Sequence, residues 1–271
     1  MNEPRQPRAI LMPTCRRYAR YADLGAASMD ALWRDRPPLY ILSDGGAFRH
    51  RDVVVSRATS WVEILADGLD ALLVSERLAP EDWVVLVIED HTAMSPIPSG
   101  ALAAVAAFAD AYPAPCVRLN NTERRARRYL TRIEGHLIAD VDHDARVFHS
   151  LHPALWKVGY LRQRLAVARA RGAVSAWQFE TMPYEGTPHL AARAVWPSAF
   201  SGYLKRGRID LDVLLAMRHP ALAPLRRRLM RDWLVDTAWR GLTFGVRRAL
   251  RAAWAFQSFV MGVRPWPRPS R

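Results

Sequence analysis

The sequence predicts an α/β fold: an open sheet flanked by helices, with a basic helical extension at the C-terminal end. Three observations carry this. Trp83-Val84-Val85-Leu86-Val87-Ile88 is an unbroken apolar run, the pattern of a strand buried on both faces. Strand-like and helix-like stretches alternate from Ala9 to Leu119, as in an open sheet covered on both sides. From Leu222 the character changes: Leu222, Leu225, Leu229 and Trp233 share one helical face, and Arg227, Arg228 and Arg231 fall opposite.

The elements follow in order. Ala9 to Met12 reads as a first short strand, followed by the loop Pro13-Thr14-Cys15-Arg16-Arg17. Tyr21 to Trp33 reads as a helix, stopped by Arg36-Pro37-Pro38, because proline has no amide to donate and constrains the residue before it. Leu39 to Leu42 is a second strand and Ser43-Asp44-Gly45-Gly46 a turn. Ser60 caps a helix running to about Leu78, with Trp61, Ile64, Leu65, Leu69 and Leu72 along one side. After the Trp83–Ile88 strand, Ser95-Pro96 opens a helix to about Ala109, and Cys116 to Leu119 is a further strand.

The middle is less regular. Asn120 to Arg132 reads as a polar loop or exposed helix, and two short strands flank Asp140 to Asp144. Leu155 to Arg171 starts near a loop and becomes helical, and Arg193 to Tyr203 holds two short strands. A second basic, aromatic segment spans Arg247 to Val263, with Trp254, Phe256 and Phe259. The expected division is a domain over residues 1–208 and a basic, aromatic-rich extension over residues 209–271.

A chain of 271 residues, half of them hydrophobic, has ample core for this fold. Its formal charge is +13, nearly all from arginine, which favours anionic lipid surfaces, nucleotides or polyphosphates as partners. The arginines spread over several predicted helices, so no nucleic-acid partner is expected. Two cysteines, Cys15 and Cys116, fit a reducing cytoplasm better than a disulfide framework. The N-terminus lacks the apolar core of a secretory signal, and no run reaches the ~18–20 apolar residues of a membrane span. A cytoplasmic location is expected, with the basic aromatic segment either attached peripherally to the inner membrane face or packed as helices on the domain or at a dimer contact.

Four constellations bear chemistry. Glu89-Asp90-His91 ends the apolar strand; acids leaving a core there face a crevice, a metal or a base, or else simply meet solvent. Hard carboxylate oxygens suit a divalent ion that takes its other ligands from phosphate and water, with Asp90 first and Glu89 and His91 second. His152-Pro153-Ala154-Leu155-Trp156 offers an imidazole and an indole, for a sugar site or for a core tryptophan beneath a turn. Trp177-Gln178-Phe179-Glu180 puts an acid after two aromatics, either a general base with a burial-raised pKa or an ordinary helix with a surface ion pair. The acids of Asp140 to Asp144 lack the glycine and distal glutamate of a calcium loop and read as a solvated turn. Walker, dinucleotide-binding and serine-hydrolase motifs are absent.

Taken in order, Ile10 to Tyr18, Glu89-Asp90-His91, Val117-Arg118-Leu119, Ser150 to Trp156 and Ala176 to Glu180 resemble the motifs of bacterial GT-A-type glycosyltransferases. The resemblance covers residues 8 to 208. His91 stands where that family carries an aromatic, His152 where it carries glutamine and Gln178 where it carries glutamate. It implies a GT-A-like, Rossmann-type mixed sheet and transfer of a sugar, with inversion, from a nucleotide-diphosphate donor to a glycan or lipid-linked acceptor. It also implies Mn2+ or Mg2+ held by Asp90 and His91. Donor contacts would come from Thr14, Arg17, Asp44, Glu89, His152, Trp156 and Trp177, with Glu180 as base and Asp90 as its catalytic partner. The altered motifs leave open a catalytically inactive homologue that binds sugar nucleotide or scaffolds envelope glycan assembly.

Overall fold

The structure is a computed structural model. It describes residues 6–91, 93–120, 126–145, 147–197, 204–205 and 208–238. The basic aromatic segment Arg247 to Val263 lies outside the described residues.

One nine-stranded sheet organises the chain. In sequence order its strands are β1 (Ala9–Pro13), β2 (Leu39–Ser43), β3 (Val53–Val55), β4 (Trp83–Leu86), β5 (Cys116–Arg118), β6 (Ala126–Ile133), β7 (His136–Val141), β8 (Ala154–Lys157) and β9 (Leu190–Ala192). In space they run β3-β2-β1-β4-β8-β5-β9-β7-β6. β1 pairs in parallel with β2 and β4, β2 with β3, and β5 with β9. β8 lies antiparallel between β4 and β5, and β7 antiparallel between β9 and β6. The fold is therefore α/β, as the alternation predicts, with the mixed sheet that the resemblance implies. Its single most useful irregularity is β8, whose first residues emerge at the edge where β1, β4 and β5 end.

The helices are α1 (Ala19–Leu32), α2 (Trp61–Val74), α3 (Ser99–Ala111), α4 (Val158–Ala170), α5 (Ala176–Glu180) and α6 (Leu211–Ala216); residues 223–238 form a seventh, α7. Period-two alternation on β4 splits the core. Trp83, Val85 and Val87 pack on one side with Met29, Trp33, Leu102 and Val105, and Val84 and Leu86 on the other with Leu65, Leu69, Leu161 and Leu165. Ser60 caps α2 by accepting the Glu63 amide, a contact worth about 1 kcal/mol. In α7, Leu225 and Leu229 are buried in the same core as α1 while Arg227, Arg228 and Arg231 are exposed, as their periodicity predicts. Asp232 also pairs with Arg20 of α1.

Several expectations shift. α3 begins at Ser99 and not at Pro96, because Pro98 holds the N-cap position in extended backbone and cannot continue a helix backwards. α2 stops at Val74, where Ser75 caps it and Glu76 turns left-handed (φ 55°). The arginine-rich stretch after Asn120 contains strand β6, paired to β7 through a turn in which Glu134 and Gly135 both take positive φ. β6 ends the sheet with Arg127, Arg128 and Arg132 exposed. The stretch after Leu151 begins with strand β8 and passes directly into α4. Both cysteines are free, and no helix among the described residues is long and apolar enough to cross a membrane.

Candidate functional site

The carboxyl edge of β1, β4 and β5, together with the start of β8, gathers most of the polar residues singled out in the sequence. Leu86 is level with Ala154, and Arg118 with the same Ala154. Two residues before Ala154 therefore sits His152, facing the residues just beyond β4 and β5. Its ring lies 4.6 Å from that of His91, and its Nδ1 is 2.9 Å from Asn120 Nδ2.

Glu89, Asp90 and His91 form the turn after β4. Glu89 is half-buried; desolvation first and the charge of Asp90 second push its carboxyl up to about 8, with its own backbone amide and the neighbouring Thr14 pulling back. Thr14, just after β1, is 3% exposed. The Asp90 side chain is 16% exposed, and its Oδ1 lies 4.0 Å from His91 Nε2. This contact is not an ion pair at neutral pH: burial, assisted by His152, drives His91 down to about 3. Trp196 holds the turn from behind, donating its indole N–H to the His91 carbonyl at 3.2 Å. Gly25 of α1 lets the helix cross here, since a Cβ on it would stand 3.1 Å from the Glu89 carbonyl oxygen.

The nucleotide end expected of the edge is built around Asp44. Its Oδ1 accepts the Arg16 amide at 2.6 Å and its Oδ2 lies 3.5 Å from Arg16 Nε. Arg17 is exposed in the short helical turn Arg16–Tyr18, its guanidinium 5.8 Å from the Tyr18 ring centre. Glu180 ends α5, and its Oε1 accepts the Leu151 amide at 2.7 Å, beside His152. Arg118 is almost wholly buried and donates to the carbonyls of Val147 and Phe148, fixing the segment that leads to His152.

The structure thus brings Thr14, Glu89, Asp90, His91 and His152 together, with Glu180 tethered one residue from His152. It places two expected residues elsewhere. Trp156, on β8, is 0% exposed and packed among His149, Tyr160 and Phe179, so it offers no face to a sugar. Trp177 is 52% exposed on the outer side of α5. Asn120, Arg16, Gly25 and Trp196 join the site without a sequence motif of their own. The polar residue directly after the apolar Cys116–Leu119 strand is the signal that could have found Asn120.

A divalent cation, implied by the resemblance, can be tested against this donor set. Among the described residues no three His, Cys, Asp or Glu side chains converge as a cage. One carboxylate, Asp90, with Glu89 behind it suits an ion that takes most of its ligands from a bound phosphate. The upward push of Asp90 on Glu89 is the repulsion that such an ion would relieve.

No family model and no curated protein sequence matches this chain. Similar solved structures include 2-C-methyl-D-erythritol 4-phosphate cytidylyltransferase from Thermus thermophilus, 17% identical over 77% of this chain and 96% of that one, with a TM-score of 0.42. The corresponding enzyme of Francisella tularensis is 10% identical over 71% of this chain and 94% of that one, also at 0.42. The galactosyltransferase LgtC, solved with donor and acceptor sugar analogues, is 12% identical over 63% of this chain and 68% of that one, at 0.35.

Proposed function

We propose that this chain is a glycosyltransferase that moves a sugar from a nucleotide-diphosphate donor to a glycan or lipid-linked acceptor hydroxyl. The observation that supports it is the meeting of Glu89, Asp90, His91, Asn120 and His152 at one sheet edge, with Glu180 anchored alongside. Ligands of open α/β sheets bind beyond the strand carboxyl ends, and these are the polar groups found there.

In this reading Thr14, Arg17 and Asp44 line the nucleotide end, and His152 with Asn120 faces the sugar hydroxyls. Glu180 takes the proton of the acceptor hydroxyl as its oxygen attacks the anomeric carbon. The bond from that carbon to the donor phosphate breaks on the opposite face, giving inversion and a nucleoside diphosphate. Asp90 and His91, supported by Glu89, would hold Mn2+ or Mg2+, which would offset charge on the departing diphosphate. The work assumed of this chain is a cytoplasmic one, at the inner membrane face when the acceptor is lipid-linked.

The second reading, an inactive sugar-nucleotide-binding homologue, draws on the same contacts: the Glu180 carboxylate holds a backbone amide and the His152 ring holds Asn120. A thermal-shift screen of uridine and guanosine diphosphate sugars, with and without manganese, tests binding. Donor hydrolysis then separates the readings. Turnover that Asp90→Asn abolishes supports the enzyme, binding without turnover supports the inactive homologue, and stabilisation by no nucleotide sugar overturns both.

A further inference from the structure

Below α5 the molecule carries an open groove of about 660 Å3, lined by His143, Asp144, Trp177, Thr181, Met182 and Tyr184. We propose that this groove is a saccharide subsite that takes neutral sugar rings of the acceptor. The proposal rests on the reading of the sheet edge as a glycosyl-transfer site, and it names the acceptor class for that site.

The walls supply the chemistry. Trp177 is 52% exposed although Phe179, two residues on, is fully buried, so α5 turns one aromatic into the core and the other onto the groove. The same lining holds a second aromatic pair, Tyr184 stacked on His143 with ring centres 3.9 Å apart and planes 13° from parallel. A pyranose presents an apolar C–H face, which aromatic planes cover, and a rim of hydroxyls, which need hydrogen-bonding groups. Asp144 and Thr181 provide these from the same groove. A carboxylate in the lining opposes a polyanionic occupant, and the volume lies in the range of small-ligand clefts.

The groove also adjoins α5, the helix that ends in Glu180. Trp177 and Glu180 are three residues apart on α5, hence on neighbouring faces of one turn, and Glu180 reaches the Leu151 amide beside His152. A sugar chain lying on Trp177 would therefore rest against the helix that carries the Glu180 carboxylate.

The test is saturation-transfer NMR on the full chain with cellotetraose, maltotetraose, laminaritetraose and chitotetraose. At least one should bind, and Trp177→Ala should weaken it by about tenfold or more with an unchanged melting temperature. Asp144→Asn should weaken it less. Binding of none of the four, or equal binding by Trp177→Ala, would overturn the proposal. Nucleotide-sugar binding is read on the same wild-type sample. If nucleotide sugars bind and no tetrasaccharide does, the groove assignment falls alone; if a tetrasaccharide binds through Trp177 and no nucleotide sugar does, the transfer reading falls and the groove stands as a saccharide site.

Discussion

The Glu180 carboxylate accepts the Leu151 amide at 2.7 Å, so the acid at the end of α5 is fixed relative to the segment that starts β8. Glu180→Gln keeps an oxygen for that amide and loses the proton-accepting charge. Sugar transfer should fall by roughly 10²–10⁴-fold while the melting temperature stays nearly constant. Steady-state kinetics beside a thermal melt checks this, and a large loss of stability would mean the carboxylate serves the fold.

Glu89 gives a pH signature. Its carboxyl rises from an ordinary 4.5 to about 8 through burial and Asp90, so the folded state favours the protonated form. The folded chain then holds a proton that the unfolded chain has released. This contribution to stability is whole below pH 4.5 and is lost as pH climbs to about 8. Glu89→Gln removes the titration, so its denaturation midpoint should fall less than that of the parent between about pH 5 and 8. Denaturant titrations at several pH values measure the difference.

At acid pH the buried histidines dominate. Desolvation carries His91 and His149 down to about 3, and His189 well below its ordinary value. All three are neutral when folded and charge when unfolded, so the stability they add is present above pH 6.5 and drains away toward about pH 3. Acid unfolding should take up about three protons more than the carboxylates alone demand. His189→Gln should remove close to one of them, read from the pH slope of stability.

Two glycines predict different outcomes for the same methyl group. On Gly68 of α2 a Cβ would lie 2.8 Å from both Leu42 methyls, inside a fully buried contact with β2. Gly68→Ala should cost about 1–3 kcal/mol through overpacking. On Gly25 the methyl meets the Glu89 carbonyl at 3.1 Å, and the turn must yield by a few tenths of an ångström. Gly25→Ala should change stability little, since alanine's helix propensity offsets the strain by about 1 kcal/mol. It should instead weaken nucleotide-sugar binding by displacing Asp90, which calorimetry would record.

How far the sequence spoke depended on whether a signal was local. β4 and its terminal acids were readable because six apolar residues in a row admit few alternatives. β8 was hidden because four residues, Ala154 to Lys157, pass straight into α4 with no turn residue between. β6 was hidden because arginine is a poor herald of a strand, though an edge strand tolerates it well. At the site, His152 and Glu180 stand out by residue type, an imidazole at a proline turn and an acid after two aromatics, and the family likeness adds their roles. The partnership of Asn120 with His152 depends on two antiparallel strands lying side by side, and neither segment announces it alone. Trp156 takes the core alternative of the two readings, because both faces of β8 are covered, Leu155 on one side and Trp156 on the other.

The arginine-studded outer border at β6 has a consequence for the protein in solution. Two molecules meeting border to border would bring three guanidinium groups from each into close quarters, at ranges of a few ångströms where mutual repulsion is strongest. Dilute buffer should therefore keep copies apart along this side. Salt shortens the reach of that repulsion to about 3 Å at 1 M, so concentrated brine is the condition under which ribbon-like stacking would begin.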